Sequence, residues 1–360
     1  MKAILHILVA ILLISACKPK PYTASDVFNE KAQLPQDEAP HVKNSLEWWY
    51  ITGHLYNADS SRRFGVEYVF FHTTPMGNKE YSLLNVAISD PQNQKFYYDT
   101  HLDSQKGGMS NQLPINLHID DKQSQASWEG QMGSYRLKAQ MEKHAVAFDL
   151  QTSIGKKVLL HDGIGYEQYD TLSKAGYYSF TRMPTTGNLF IEGDTMAVHG
   201  SLWYDRQWNC LGIYNQNIGW DWMAIQLEEP AVDLMVYQIR NKETQRPFVW
   251  GASYYDENEQ LVDLQPSQIK LTEKNTWYSK ESDHSYPQNW RIEIPSLALD
   301  LEVKSMMKEQ ELHIKEFPIY LYYWEGMCEV TGSLNGAKVK GDAYLEMTER
   351  KGDRAEVTEP

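Results

Sequence analysis

The sequence is poor in cysteine, in positive charge and in long apolar segments. Its 360 residues include 3 cysteines, and 34 lysines and arginines stand against 48 aspartates and glutamates, so the net charge is −14. This acidic balance argues against a nucleic-acid partner and against electrostatic binding to anionic lipid, because both require clustered positive charge. Beyond residue 16, no segment approaches the roughly 18 apolar residues that a membrane-spanning helix needs.

Motifs of several enzyme classes are also missing. The chain has no Gly-x-Ser-x-Gly elbow, no His-Glu-x-x-His pair, no Cys-x-x-Cys pair and no phosphate-binding glycine loop that ends in Lys-Ser/Thr. The run Gly163-Ile164-Gly165 lacks the third glycine and the helix of a dinucleotide site. Histidines such as His54 and His72 are interpreted as core or rim residues, so the sequence predicts no metal site and no cofactor.

The N-terminus has the features of a bacterial export signal. A lysine precedes an apolar run over residues 3–16, and Ile14-Ser15-Ala16-Cys17 resembles a lipobox. We predict a lipoprotein signal peptide over residues 1–17, lipidation of Cys17 and a polar tether over residues 18–40. Lys18 favours anchoring of the exported protein to the outer membrane of the cell envelope. The alternative is an ordinary signal peptide with an incidental cysteine.

Two more cysteines, Cys210 and Cys328, follow in the predicted mature chain. In an oxidising compartment they could form a disulfide. Because they fall in different halves of the chain, we expect two separate buried thiols.

Alternation of apolar and polar residues with a period of two dominates the chain. Residues 47–55 alternate, a turn follows at residues 57–60 and alternation resumes at residues 64–70, which predicts an antiparallel hairpin. The same pattern returns at residues 223–236. Short predicted strands continue to the end, separated by Gly, Asn, Asp and Pro turns, without a long amphipathic helix. The predicted fold class is all-β.

The two halves of the chain resemble each other in order. Trp49 with its hairpin corresponds to Trp222 with its hairpin, and residues 198–205 align with residues 339–346. A third correspondence, between residues 135–150 and 290–301, supports a tandem pair of similar antiparallel β-barrels. The predicted boundaries are 41–212 for the N-terminal barrel, 213–350 for the C-terminal barrel and 351–360 for a polar tail.

Carboxylates beside tryptophans are the candidate catalytic groups. Trp203 and Asp205 share one face of a predicted strand. If Trp203 points into an enclosed space, Asp205 does too, and an aspartate walled by aromatic rings could keep a proton near neutral pH and act as a general acid. The alternatives are an ion pair with Arg206 or Arg182, or a position facing the partner strand.

Two further carboxylates are weaker candidates for orienting a water molecule. Asp221 lies between Trp220 and Trp222, which point to the opposite face, so Asp221 could line a gap between the barrels or cap a turn. Glu47 shares a face with Trp49 and could close the mouth of a pocket or mark the solvated start of its strand.

The aromatic content suggests a lined cavity as well as packed cores. Packing explains most of the 11 tryptophans and 23 tyrosines. A cavity lined by such rings also suits a long apolar or isoprenoid ligand, and each ring can stabilise a carbocation by about 0.5 to 2 kcal/mol. The predicted lining residues are Trp49, Tyr50, Trp203 and Trp222. Since Trp49 and Tyr50 point to opposite faces, both can line one pocket only through a bulge or if the pocket lies between the barrels.

These motifs together resemble the CrtC/AttH lipocalin-like family over about residues 41–348. The resemblance is carried by Glu47-Trp48-Trp49-Tyr50, Trp203-x-Asp205-Arg206-Gln207-Trp208, Gly219-Trp220-Asp221-Trp222, Tyr323-Trp324-Glu325-Gly326 and Tyr344-Leu345-Glu346. It implies two lipocalin-like barrels. The chain departs from the family pattern after Trp208, where Asn209-Cys210 stands in place of a small glycine.

The family includes carotenoid hydratases, which add water to an isoprenoid double bond without a cofactor, and it is similar to fungal lipocalin-like pericyclases. The resemblance therefore implies binding of a hydrophobic isoprenoid or polyene, with acid-catalysed hydration of a C=C bond in which Asp205 donates the proton and Asp221 or Glu47 orients the water. A non-catalytic lipid carrier and a cofactor-free pericyclase or cyclase are the alternatives. The expected partners are the hydrophobic molecule and, through the lipid anchor, the membrane.

Overall fold

The computed structural model describes residues 31–41, 46–73, 80–104, 112–120, 124–169, 173–210, 217–316 and 319–351. In these ranges, short 3-10 turns are the only helical elements, and the other regular elements are strands in two antiparallel sheets. The all-β prediction is therefore confirmed. None of the described helices is long and apolar enough to cross a membrane. Cys17 and the predicted signal peptide lie outside the described residues.

The first sheet forms the N-terminal barrel and contains twelve strands. In chain order they are β1 Leu46–Asn57, β2 Arg63–Thr73, β3 Tyr81–Asp90, β4 Lys95–Ser104, β5 Ile115–Asp120, β6 Ser124–Gln131, β7 Ser134–Met141, β8 Val146–Thr152, β9 Leu159–Leu160, β10 Tyr166–Tyr169, β11 Ser173–Ile191 and β12 Asp194–Trp208. The pairing order is β4-β3-β2-β1-β12-β11-β8-β7-β6-β5, and β9 and β10 both pair with β11.

The second sheet forms the C-terminal barrel and contains ten strands. They are β13 Ile218–Leu227, β14 Asp233–Asn241, β15 Pro247–Tyr255, β16 Leu261–Leu264, β17 Lys270–Ser279, β18 His284–Ile294, β19 Leu299–Ser305, β20 Glu311–Glu316, β21 Ile319–Leu334 and β22 Ala337–Thr348. The pairing order is β16-β15-β14-β13-β22-β21-β19-β18-β17, with β20 beside β21. The chain passes from one sheet to the other between Trp208 and Ile218, and the predicted boundary at residue 212 falls outside the described residues.

Each sheet has one face around its own core and one face towards the other sheet. Inside the N-terminal barrel, Trp49 and Ile51 pack with residues such as Trp128, and a separate core fills the C-terminal barrel. Because side chains alternate along a strand, the residues between them point the other way. Tyr50, between Trp49 and Ile51, therefore points towards the C-terminal barrel. It meets Trp222 in a third cluster that joins the two barrels.

Residues 31–41 pack against the N-terminal barrel, so the predicted tether is corrected for residues 31–40. Asp37 and Glu38 are 2% and 0% exposed. The Trp49 indole donates a hydrogen bond to the Glu38 carbonyl at 3.0 Å, and the Glu38 carboxylate accepts one from the Met132 amide at 2.7 Å. The polar composition of this segment reflects buried, hydrogen-bonded carboxyl groups, which composition alone does not distinguish from a solvated linker.

Candidate active site

A cavity lies between the outward faces of the two barrels. The volume in it that is open to the centre of a water-sized molecule is about 100 Å³. The N-terminal barrel contributes side chains from β1, β2 and β12, and the C-terminal barrel contributes side chains from β13, β14, β21 and β22. Most of this wall is apolar or aromatic, as in sites that bind hydrophobic small molecules.

The pairing of β1 with β12 explains which side chains reach the cavity. Tyr50 is the direct partner of Asp205 in this ladder, and both point outward from the N-terminal barrel. Trp49 and Arg206 are likewise partners, and both point into the barrel interior. Of the two options open from the sequence, a bulge or a pocket between the barrels, the structure shows the second.

Asp205 lies on the cavity wall and is 3% exposed. Its Oδ1 accepts hydrogen bonds from the Ser179 hydroxyl at 2.5 Å and the Trp203 indole at 2.6 Å, and its Oδ2 accepts one from the Tyr177 hydroxyl at 2.5 Å. Burial raises the pKa of Asp205 to about 6, although the three donors act in the opposite direction. At pH 7 the ionised form therefore predominates.

Neither arginine that could have paired with Asp205 does so. Arg206 follows Asp205 in the strand but points to the other face, where its Nη2 lies 2.5 Å from Glu47 Oε2. Arg182 binds Asp233, with 2.6 Å between Nη2 and Oδ1. Among the described residues, the hydrogen-bond partners of Asp205 are uncharged.

Three glutamates that we did not select from the sequence also line the cavity. Glu67 comes from β2, Glu325 from β21 and Glu346 from β22. Glu325 and Glu346 are direct cross-strand partners, a position in which two ionised carboxylates repel each other. The Tyr50 hydroxyl donates to Glu325 Oε2 at 3.0 Å, and the Trp220 indole donates to Glu346 Oε1 at 2.9 Å.

These glutamates hold protons more strongly than exposed glutamates do. Burial, followed by the neighbouring Glu346 carboxylate, raises the pKa of both Glu67 and Glu325 well above the ordinary value. Burial raises the pKa of Glu346 to about 7, and the Asp205 carboxylate adds to the shift. At neutral pH the cavity thus contains neutral carboxylic acids beside a largely ionised aspartate, the combination that acid–base catalysis needs.

The sequence did contain a signal for the three glutamates. Each is a single acidic residue inside an apolar strand: Glu67 follows Val66 and precedes Tyr68, and Glu346 lies between Leu345 and Met347. A charge in such a run is either buried or faces a cavity, because the strand has little solvated surface.

A chain of hydrogen bonds runs from Asp205 away from the cavity. His161 Nε2 lies 2.9 Å from Ser179 Oγ, and His161 Nδ1 lies 3.1 Å from Ser253 Oγ. Ser253 Oγ lies 3.0 Å from Oδ1 of Asp263, which is partly exposed. Burial lowers the pKa of His161 to about 3, so its ring is neutral and can accept a proton at one nitrogen while donating at the other. The chain connects the cavity carboxylate with the outer part of β16.

Glu47 does not face the cavity, so its predicted role in orienting water is corrected. It lies inside the N-terminal barrel, where His72 Nδ1 is 2.8 Å from its Oε1 and Arg206 binds its Oε2. Burial alone would raise the pKa of Glu47, but the Arg206 guanidinium and the hydrogen bonds of His41 and His72 hold it well below the ordinary value. Glu47 is a structural anion.

Asp221 is corrected in the same way. Trp220 and Trp222 face the cavity, whereas Asp221 points into the C-terminal barrel. Its Oδ2 lies 2.8 Å from Arg240 Nε and 2.5 Å from Arg350 Nη2. Burial opposes ionisation, but the two guanidinium groups lower the pKa of Asp221. A carboxylate bound by two arginines has no free lone pair directed at a cavity water.

The four predicted lining residues separate into three positions. Tyr50 and Trp222 line the cavity and meet edge to face, with ring centroids 5.4 Å apart. Trp203 lies behind the wall, where it packs against Trp222 and donates to Asp205. Trp49 does not line the cavity: it is fully buried in the N-terminal barrel, with the Arg206 guanidinium 3.9 Å from its ring centroid.

The residues after Trp208 fit the edge of the cavity without a glycine. Asn209 adopts a φ of 61°, in the left-handed region that asparagine tolerates better than most other residues. Its side-chain amide donates to the Lys174 carbonyl at 2.8 Å. Cys210 then lies in the cavity wall, and Cys328 lies in the C-terminal core. As expected, both thiols are buried and unpaired.

Comparison with known proteins agrees with this architecture. The crystal structure of an AttH from Nitrosomonas europaea superposes with a TM-score of 0.78 and 24% identity, covering 91% of this chain and 99% of that one. Kievitone hydratase from Nectria haematococca superposes with a TM-score of 0.70 and 16% identity, covering 88% and 93% of the two chains. CghA, solved with Sch210972, gives a TM-score of 0.59 at 13% identity and covers 92% and 98%. At these identities the likeness shows the fold.

Sequence comparison adds one curated relative and a family. Dehydratase asqC from Emericella nidulans is 22% identical over 232 residues, which are 59% of this chain and 60% of that protein. The match therefore spans about 60% of the relative's length. A family model described as AttH-like matches residues 27–350, nearly the whole chain. The protein belongs to the AttH-like family.

Proposed function

We propose that the protein adds water to, or removes water from, a largely apolar small molecule bound between the barrels, using its own carboxyl groups as acid and base. The observation that carries this proposal is the aromatic cavity, in which Asp205 and three glutamates have raised pKa values. Two relatives, kievitone hydratase and dehydratase asqC, have names that denote this type of reaction.

Asp205 and Glu346 are the pair best placed to exchange protons near neutral pH. With pKa values of about 6 and about 7, Asp205 is mostly ionised at pH 7 while Glu346 is about half protonated. The three hydrogen-bond donors on Asp205 favour its ionised form, so we assign it the role of base, whereas the sequence predicts an acid. The raised pKa of Glu346, to which the Asp205 carboxylate contributes, indicates that the two groups interact.

In the hydration direction, Glu346 donates its proton to one alkene carbon, and the π electrons form the new C–H bond. The adjacent carbon becomes cationic, and aromatic rings such as Tyr50 and Trp222 stabilise it by about 0.5 to 2 kcal/mol each. Asp205 accepts a proton from water as the water oxygen bonds to that carbon. In dehydration the same steps run in reverse: protonated Asp205 gives its proton to the departing hydroxyl group, and ionised Glu346 removes the proton from the neighbouring carbon.

The hydrogen-bond chain through His161 gives Asp205 a route for returning its proton to solvent while the cavity is occupied. Ser179 contacts Asp205 directly, and Ser253 and Asp263 continue the chain beyond His161. Each hydroxyl or ring nitrogen passes on one proton as it accepts another, so no charge has to stay on the buried imidazole.

The test is incubation of the purified protein with apolar cell extracts, followed by mass spectrometry. A hydratase or dehydratase yields a product that differs from its precursor by one water. Asp205→Asn and Glu346→Gln should each lower turnover by about 10² or more while ligand binding persists, because each removes a proton-transfer group. Glu329→Gln, on β21 but partly exposed, is the matched control and should retain activity.

Other outcomes would overturn the proposal. Ligand uptake without a product at any pH would identify a carrier. A product of unchanged mass would identify a pericyclase or cyclase.

We further propose that the ligand is of the isoprenoid or polyene type and that the protein is exported and anchored by a lipid on Cys17. The aromatic wall supports the ligand class, and the lipobox-like sequence before Cys17 supports the anchor. Labelling of cells with radioactive palmitate should mark the wild-type protein in the outer-membrane fraction. Cys17→Ser should abolish the label; an unlabelled wild-type protein would contradict the anchor.

A further inference from the structure

We infer that Glu67 is a recognition site for a neutral oxygen acceptor, such as a carbonyl oxygen, on an otherwise apolar ligand. The inference rests on the proposed ligand-binding cavity but not on the water-transfer chemistry. It assigns to the cavity a polar binding point that is distinct from the Asp205 and Glu346 pair.

The main observation is that the Glu67 carboxyl group is completely buried and is not fully hydrogen-bonded. Its exposed fraction is 0%, and neither carboxyl oxygen makes a well-aligned hydrogen bond to another described residue. The Tyr323 hydroxyl, which accepts from the Asn85 amide, lies near Glu67 as a donor, so a carboxyl proton on Glu67 has no acceptor among the described residues.

The other cavity glutamates differ, because Tyr50 donates to Glu325 and Trp220 donates to Glu346. Buried polar groups are nearly always hydrogen-bonded, so an unsatisfied carboxyl group that lines a cavity indicates a partner in the cavity.

The surroundings of Glu67 favour its neutral form. The described cavity wall contains no lysine, arginine or histidine. Burial and the Glu346 carboxylate raise the pKa of Glu67, and the nearby Tyr323 hydroxyl offsets only part of this shift. Glu325, opposite Glu346 in the sheet, adds a second acidic group. Without a cation, a buried carboxyl group takes up a proton instead of remaining charged.

A neutral Glu67 presents one O–H donor to an apolar space. Its best partner is an oxygen lone pair without a negative charge, because a carboxylate ligand would meet the neighbouring acidic groups. A hydrocarbon would leave the donor unsatisfied, and an amine would require Glu67 to ionise. The predicted ligand class is therefore an apolar molecule with a ketone, aldehyde or ester oxygen.

Binding of matched probes to the full-length protein tests this assignment at pH 7. The probes are 2-dodecanone, the same skeleton with C=CH₂ in place of C=O (2-methyldodec-1-ene), and dodecylamine. Tryptophan fluorescence reports binding. The wild-type protein should bind the ketone about tenfold more tightly than the alkene, the value of one hydrogen bond. Glu67→Gln keeps a donor and should keep the preference.

Glu67→Met removes the donor at similar size and should bind ketone and alkene equally. Glu329→Met, on the partly exposed face of β21, is the control and should behave like the wild type. Thermal unfolding would show that the variants are folded.

An equal affinity of the wild type for ketone and alkene, or an undiminished preference in Glu67→Met, would overturn the inference. Tighter binding of dodecylamine than of the ketone would do so as well and would indicate a cation site. Absence of binding by any probe would reject both the inference and the proposed cavity. A ketone preference without water-transfer activity would support the inference and reject the activity.

Discussion

The interior of the N-terminal barrel and the cavity between the barrels both bury carboxyl groups, but they place these groups in opposite electrostatic settings. Glu47 binds Arg206 inside the barrel, and its pKa lies well below the ordinary value. Asp205, one residue before Arg206 on β12, faces the cavity and has a pKa of about 6. Burial is nearly equal at the two sites, so the neighbouring cation decides which carboxyl group keeps a proton.

The C-terminal barrel shows the same arrangement. Asp221 points inward and binds Arg240 and Arg350, whereas its neighbours Trp220 and Trp222 face the cavity. Arg206, Arg240 and Arg350 thus serve the barrel interiors. A buried ion pair of this kind fixes structure, while a carboxyl group without a cation remains available for proton transfer or ligand binding.

The largest effect is expected from removing the Arg206 cation inside the N-terminal barrel. Arg206→Met leaves Glu47 as an uncompensated buried charge and should lower the free energy of unfolding by about 3 to 5 kcal/mol. Urea unfolding at pH 7 measures this loss.

Arg136→Met is the control, because Arg136 binds Asp149 in a largely exposed pair. It should change stability little. Similar losses of unfolding free energy in the two variants would show that the pair of Arg206 and Glu47 contributes no more than a surface ion pair. This result would contradict the contrast between the two carboxyl environments.

The pH dependence of the free energy of unfolding should show that Asp205 in the cavity has a raised pKa, in contrast to the lowered pKa of Glu47. The pKa of Asp205 is about 6 in the folded protein and near 4 in an unfolded chain, so between these values the folded state holds the extra proton. The stabilisation from Asp205 is complete below about pH 4 and is lost as the pH rises through 6. Asp205→Asn should remove on the order of 2 kcal/mol of this decline between pH 4 and 7.

Urea unfolding at several pH values would measure the two profiles. The pKa of Glu346 is about 7 and is raised in part by the Asp205 carboxylate, so the decline from Glu346 should also be smaller in the variant. Superimposable wild-type and variant profiles would show that Asp205 carries no shifted pKa.

Replacing Glu38 should have the smallest effect on stability. It allows two buried carboxyl groups of the N-terminal barrel, Glu38 and Glu47, to be compared. Burial raises the pKa of Glu38 to about 7, so below that pH it is mostly neutral and resembles glutamine. At pH 5.5, Glu38→Gln should change the free energy of unfolding by about 1 kcal/mol or less. The amide oxygen can still accept from the Met132 amide, and the amide NH₂ can donate to the Tyr135 hydroxyl oxygen, as the O–H of a neutral carboxyl group does. Glu47→Gln, measured in parallel, should cost more, since it leaves Arg206 without its anion.

Local patterns were sufficient to predict the all-β fold class and the first hairpin of each half. Period-two alternation identified the hairpin that starts at Glu47, and the repeated motifs indicated two similar halves. Alternation also placed Trp203 and Asp205 on the same face correctly, because every second side chain of a strand points to the same side of the sheet. The sequence therefore contained much of the fold.

The position of the site was harder to predict, because alternation defines two faces without saying which one encloses a core. The sequence predicts Trp49 and Glu47 as pocket residues, although their face fills the N-terminal barrel. It also predicts Asp221 at the gap between the barrels, although Asp221 points into the C-terminal barrel. Glu67, Glu325 and their neighbours meet only through contacts between distant strands of the two sheets. The buried arginine partners of Glu47 and Asp221 depend on the same long-range packing.

The location of the cavity on the outside of both barrels has a consequence for how the protein can change over time. Its lining residues alternate with residues that fill the two cores, so a substitution at Val69 or Ile239 alters the shape offered to a ligand without emptying either core. Ligand preference can therefore drift while the scaffold persists, which makes this architecture a ready starting point for new substrate specificities.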